Sequence, residues 1–191
     1  MNRRRAGGGL AAYPGEAKGG RSWSRELIRS ASTEAREAGF LDALKKFPDI
    51  KIISQDQHAG ATRELAYKVS QNLMNRFSRE VNGVFCPNEN STVGMTKALR
   101  DVGLGQGKVK MIGFDAGSLS VQDLKSGDVQ GLVVQNPMLM GYLGVATAVK
   151  HLHGEKVEKR IDTGVVLVTR ENMEQQEIKD LLYPPLDKYL K

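Results

Sequence analysis

Short apolar runs separated by helix-length segments govern what this chain can fold into. Ile50-Lys51-Ile52-Ile53-Ser54, Val81 to Cys86, Val109 to Phe114, Val129 to Val134 and Thr163 to Val168 each read as a strand. The segments between them carry helical spacing. Ser32 or Thr33 is expected to cap a helix bearing Ala35, Phe40, Leu41 and Leu44, which ends before Pro48. A second helix, from about Ala61, aligns Leu65, Val69, Leu73 and Phe77. Ser91 or Thr92 is expected to cap a third, with Val93, Met95, Ala98 and Leu99, and Gly127 ends a short one carrying Val121 and Leu124. Helix returns from about Met140 to Leu152 and again over residues 173–182. Strands that alternate with helices build a mainly parallel sheet with helices on both faces, a three-layer α/β sandwich. Continuous apolar runs are what a sheet covered on both faces requires.

Composition narrows the function classes. The 191 residues are 40% hydrophobic and contain no run approaching the length a membrane helix needs. The net charge of +6 is concentrated at the front: residues 1–30 hold Arg3, Arg4, Arg5, Lys18, Arg21, Arg25 and Arg29 against Glu16 and Glu26. Residues 31–191 therefore carry only +1, with no basic stripe, and nucleic acid is not an expected partner. Residues 1–29 are Gly-rich and lack apolar periodicity, so they read as a disordered leader or an artefact of the start. Arg3-Arg4-Arg5 is followed by a stretch broken by Pro14, not by the apolar run of an export signal. A chain that truly begins here is expected to be cytoplasmic.

Ligands of open parallel sheets bind beyond the carboxyl ends of the strands. The residues just past those ends are Pro87-Asn88-Glu89, Asp115 and Gln135-Asn136-Pro137. Arg36, in the first turns of the first helix, is expected near the same edge. Such a set suits a neutral polyhydroxyl ligand. A carboxylate accepts from two hydroxyls, a guanidinium donates a fork, and the amides do both. The competing reading is that Asn88 caps its helix and Asp115 starts a turn.

Other signals carry less. Cys86 has no histidine in the neighbouring strand-end motifs and reads as a buried core residue. His151 and His153 are two apart on a helix and face different ways. No metal or other cofactor is expected, nor a catalytic residue. Gly103-Leu104-Gly105-Gln106-Gly107 follows a helix and opens a strand, the reverse of a phosphate loop, and reads as a turn. His58 is a possible ligand contact from the loop before the second helix.

Four ordered motifs carry a family resemblance. Ser32-Thr33-Glu34-Ala35-Arg36-Glu37-Ala38-Gly39-Phe40, Phe85-Cys86-Pro87-Asn88-Glu89, Val109-Lys110-Met111-Ile112-Gly113-Phe114-Asp115 and Gly131-Leu132-Val133-Val134-Gln135-Asn136-Pro137 resemble successive motifs of ribose-type periplasmic binding proteins of ABC transporters. The same framework occurs in the effector domains of LacI-type repressors. The resemblance implies a solute-binding function, not an enzyme, with Arg36, Asn88, Asp115 and Gln135 holding a monosaccharide. It implies an extracytoplasmic location and transporter membrane subunits as partners. Family members often stack an aromatic residue on the sugar at the start of the second helix; here Ala59-Gly60-Ala61 stands there.

Such proteins have two lobes, and the resemblance runs from about residue 31 to 190, the carboxyl-terminal lobe. The implied organisation is a leader at 1–29, a sugar-binding lobe at 30–135, a crossing helix at 136–158 that would join a first lobe, and a return strand with terminal helix at 159–191. A regulator's inducer-binding lobe, or an orphan lobe that self-associates and binds little, are the other readings. Tyr142, Val145, Val149 and Leu152 form an apolar stripe, so a homodimer through the helix Met140 to Leu152 is expected.

Overall fold

A computed structural model describes residues 8–12 and 30–188. In chain order the elements are β1 (Gly8–Ala12), α1 (Ala31–Leu44), β2 (Lys51–Gln57), α2 (Arg63–Phe77), β3 (Gly83–Phe85), α3 (Glu89–Asp101), β4 (Lys110–Phe114), α4 (Ser118–Ser126), β5 (Gly131–Val134), α5 (Pro137–Leu152), β6 (Val166–Val168) and α6 (Gln176–Leu182), with a 3-10 turn at Leu186–Lys188.

The sheet runs in the order β2-β1-β3-β4-β5-β6. β3, β4 and β5 are parallel, with Val84 opposite Met111 and Gly113 opposite Leu132. β6 is antiparallel, Val134 facing Val166. β1 is antiparallel to both β2 and β3 and lies between them. The leader expectation is corrected over these five residues. Gly8–Ala12 is a strand, because the gap between β2 and β3 leaves two rows of backbone donors and acceptors to be paired. The rest of the expected leader, 1–7 and 13–29, lies outside the described residues.

Strand alternation sorts the core. Val84, Cys86, Met111, Leu132, Val134 and Val168 point to one face, where they pack with Leu73 and Met74 of α2, Met95 and Leu99 of α3, Leu124 of α4 and Ile178 of α6. The other face carries Phe85 and Phe114, both buried. α1 covers it there, stacking Phe40 on Phe85 at 4.5 Å between centroids. Sheet and two helical layers make the expected sandwich.

Helix starts differ from expectation in detail. α1 begins after Ser30, whose side chain makes no cap hydrogen bond, and not at Ser32 or Thr33. α3 is capped by Asn88, not by Ser91 or Thr92: Asn88 Oδ1 accepts from the Ser91 N–H at 3.0 Å, and Ser91 Oγ accepts back from the Asn88 N–H at 3.3 Å. Thr62 caps α2 through the Leu65 N–H. Thr62→Ala is expected to cost about 1 kcal/mol, measured by urea denaturation; an unchanged midpoint would show that the cap contributes nothing.

Candidate functional site

The carboxyl ends of β3, β4 and β5 lie side by side, and three features fix the residues that follow β3 and β4. Gly113 in β4 lets α3 approach closely, since a Cβ there would sit 2.5 Å from Thr92 Cγ2. Thr92 Oγ1 donates to the Asn88 carbonyl at 2.9 Å and accepts from the Phe114 N–H at 3.3 Å. The start of α3, and with it Asn88, is thereby tied to the end of β4. Asp115 then turns out of the strand at φ +67, its N–H donating to the Val133 carbonyl at 2.9 Å.

Arg36 reaches this edge from α1. Its guanidinium donates from Nη1 to the Pro87 carbonyl at 2.9 Å and from Nη2 to Gln135 Oε1 at 2.6 Å. Nη1 lies 3.7 Å from Asp115 Oδ2. The plane sits over the Phe114 ring, Cζ 3.7 Å from its centroid, a stacked cation–π contact. Arg36, Asp115 and Gln135 are thus in direct contact, and Asn88 follows the carbonyl that Arg36 binds. Burial pushes the Asp115 carboxyl above the usual range; Arg36 opposes this, and the charge of Glu89 adds to it.

Sequence reasoning did not single out the Pro87 carbonyl or the Phe114 ring. Neither is a polar side chain, although both stand inside the quoted motifs. It also passed over Glu89, which Arg63 holds at 2.6 Å, and Asn90, whose Nδ2 donates to the Ala61 carbonyl at 2.9 Å. These two contacts bind the start of α2 and the loop before it to the start of α3. His58 is not part of the polar cluster. It lines a cavity of ≈ 270 Å³, together with Glu34, Glu37, Ser70, Cys86 and Asn88. Thr33, Glu34 and Glu37 of α1 face that cavity while Arg36 does not, and Pro87 and Asn88 line it too. The Cys86 thiol is buried and pushed up to about 12, which keeps it protonated at neutral pH. Residues 103–107 form a turn with Gly103, Gln106 and Gly107 at positive φ.

An open α/β lobe that gathers an arginine, a carboxylate and an amide beyond its strand ends belongs to the class of small-molecule binding modules. The chain is a member of the periplasmic binding protein family: the model of the periplasmic binding protein domain matches residues 25–156. It is 32% identical over 143 residues to the ribose import binding protein RbsB of Haemophilus influenzae, covering 75% of this chain and 47% of that protein. It is 30% identical over 116 residues to the D-allose-binding periplasmic protein of Escherichia coli, covering 61% and 36%. Among solved structures it is similar to a carbohydrate transporter solute-binding protein of Agrobacterium radiobacter in complex with D-arabinose (38% identity, TM-score 0.69, 75% of this chain and 48% of that one). A solute-binding protein of Agrobacterium vitis bound with α-D-tagatopyranose is similar at 29% identity and a TM-score of 0.73, over 79% and 50%. The chain spans about half the length of the curated relatives it matches. By their names, these relatives are sugar-binding and solute-binding proteins.

Proposed function

We propose that this chain binds a monosaccharide, a pentose or hexose, at the edge formed by Arg36, Asn88, Asp115 and Gln135, as the solute-binding part of an ABC-type sugar uptake system outside the cytoplasm. Its partners in that role are the sugar and the transporter's membrane subunits. The observation that carries the reading is the contact of Arg36 with both Asp115 and Gln135 over the Phe114 ring. Before ligand arrives, these groups satisfy one another. A sugar hydroxyl that donates to Asp115 and accepts from Arg36 replaces those contacts without leaving a charge bare. Asn88 spends its Oδ1 on the helix cap, so its amide N–H groups are what it offers a ligand.

Half a site binds weakly. This lobe alone leaves a bound sugar wet on one side, where polar contacts are worth little. Titration calorimetry of the chain with ribose, arabinose, allose and glucose is expected to give dissociation constants in the millimolar range, on the order of 4 kcal/mol. Arg36→Ala and Asp115→Asn are each expected to weaken binding at least tenfold while circular dichroism shows both still folded, Arg36→Ala with a lowered melting temperature because it also leaves Asp115 and Gln135 without their partner. Binding in wild type is also expected to fall as pH drops through the raised pKa of Asp115, because the protonated carboxyl loses an acceptor. Equal affinity in wild type and Asp115→Asn would overturn the site. Micromolar affinity in a monomer would overturn the half-site argument.

A further inference from the structure

We propose that Arg63 and Glu89 are a positioning pair for the sugar edge: Arg63 holds the Glu89 carboxylate against Gly117, and that seat fixes the turn from which Asp115 meets its ligand. The inference rests on the proposed reading of Asp115 as a sugar-binding carboxylate. Neither residue belongs to the cluster of Arg36, Asn88, Asp115 and Gln135. Arg63 opens α2 and Glu89 opens α3. Arg63 Nη2 donates to Glu89 Oε1 at 2.6 Å. The two side chains are 47% and 32% exposed, and an ion pair so open to water adds little to stability. What it holds in place is therefore the more informative property.

Three observations tie the pair to Asp115. The first is Gly117, which ends the turn after β4. A Cβ there would fall on the Glu89 carboxylate, 2.8 Å from Oε2 and nearer still to Oε1 and Cδ. Gly117 has φ −60, which any residue adopts, so what glycine supplies is room for that carboxylate. The second is Asp115 itself. At φ +67 it stands in the left-handed region, where a residue with a side chain is held by its surroundings. The Val133 carbonyl accepts its N–H at one end of the turn, and Glu89 closes over Gly117 at the other. The third is the Glu89 main chain, whose N–H bonds the Asp115 carboxyl. The charged groups around that carboxyl are Arg36 from α1 and Glu89 from α3, with Arg63 of α2 behind Glu89. Like charges side by side repel, and Arg63 is what keeps Glu89 in its seat beside Asp115.

Hydrogen exchange and carbon-13 NMR of the whole chain test the pair without sugar. Glu89→Ala and Arg63→Ala are each expected to speed exchange of the Asp115 N–H at least tenfold relative to the Cys86 N–H, which donates to the Ile112 carbonyl. Gly117→Ala meets only the tip of a flexible side chain, so it is expected to do the same with the fold intact. Added to Glu89→Ala it is expected to change nothing further, because the space is then empty. Glu89→Gln keeps the shape and an acceptor for Arg63. It is expected to leave that exchange as in wild type while lowering the pH at which the Asp115 carboxyl titrates, because a charge that holds its proton is gone. Ribose, titrated by NMR at neutral pH, is expected to bind severalfold more weakly to Glu89→Ala and Arg63→Ala than to Glu89→Gln. Unchanged exchange in Glu89→Ala, a Gly117→Ala effect that persists in the Glu89→Ala chain, a Glu89→Gln titration that does not fall, or equal ribose binding by Glu89→Ala and wild type would overturn the proposal. The expected exchange effects in a chain whose wild type binds no sugar would support the seat and sink the sugar reading of Asp115 instead.

Discussion

Replacing Arg100 with alanine is expected to lower the unfolding free energy by about 3 kcal/mol at neutral pH, the lower end of the cost of breaking a buried ion pair. Arg100 Nη2 lies 2.5 Å from Asp123 Oδ1, and Nη2 and Nε reach Asp128 Oδ2 at 2.6 and 3.0 Å. Its side chain is 45% exposed, but the acids it serves are only 9% and 5% exposed. Removing it leaves two buried carboxylates without their cation. The two titrate differently. Burial, with the charge of Asp128 beside it, pushes Asp123 up and outweighs the opposing pull of Arg100. Burial acts on Asp128 too, yet Arg100, the Ser126 hydroxyl and the Gln106 N–H together outweigh it and hold that carboxyl low. The stability Asp128 contributes is therefore present above the ordinary carboxylate range and lost as pH falls through its lowered pKa. Without Arg100 both carboxyls rise and take up protons at higher pH. The deficit between the two proteins should thus be largest near neutrality and shrink towards acid. Urea denaturation of both at neutral and acidic pH measures it. A deficit that widens on acidification would refute this account.

Gly94→Ala should destabilise the lobe by about 2 kcal/mol, and the sign is the informative part. In an exposed helix interior the same change gains about 1 kcal/mol. Here a Cβ would lie 2.7 Å from the Ala66 carbonyl carbon and the Tyr67 nitrogen, and 2.8 Å from Ala66 Cβ. Two of those atoms are backbone of α2, which cannot move aside as a side-chain tip does. The helices must separate, and Met74, Met95 and Leu99 between them lose packing. Thermal or urea unfolding decides between the two signs; a stabilised variant would mean that α2 and α3 pack less closely than described.

Most of the strand positions were legible because strands buried on both faces leave an unbroken apolar run, as Val109 to Phe114 does. Helix starts were less so. Asn88, Ser91 and Thr92 all suit a cap, and only the local backbone chooses among them. β1 was hidden for a different reason. Gly8-Gly9-Leu10-Ala11-Ala12 has no β-branched or aromatic residue, and its pairing depends on strands far along the chain. The direction of β6 was equally unreadable, since it depends on the route taken through α5 and the segment after it. At the site, the polar residues were legible as strand-end residues. The contact of Arg36 with Pro87 and Phe114 was not, because a carbonyl and a ring face leave no mark in a search for polar side chains.

The place of β1 has a consequence for how the sheet is assembled. β3, β4 and β5 are joined by one helix each and close over short loops, so they can pair as soon as their helices form. β2 has no such route, because it touches β3 only through a strand that stands before both of them in the chain. Until Gly8–Ala12 threads between them, β2 has no backbone hydrogen-bonded link to the rest of the sheet. Strand β1 therefore acts as the last stone of an arch. The element with the least local propensity completes the sheet and joins β2 to it.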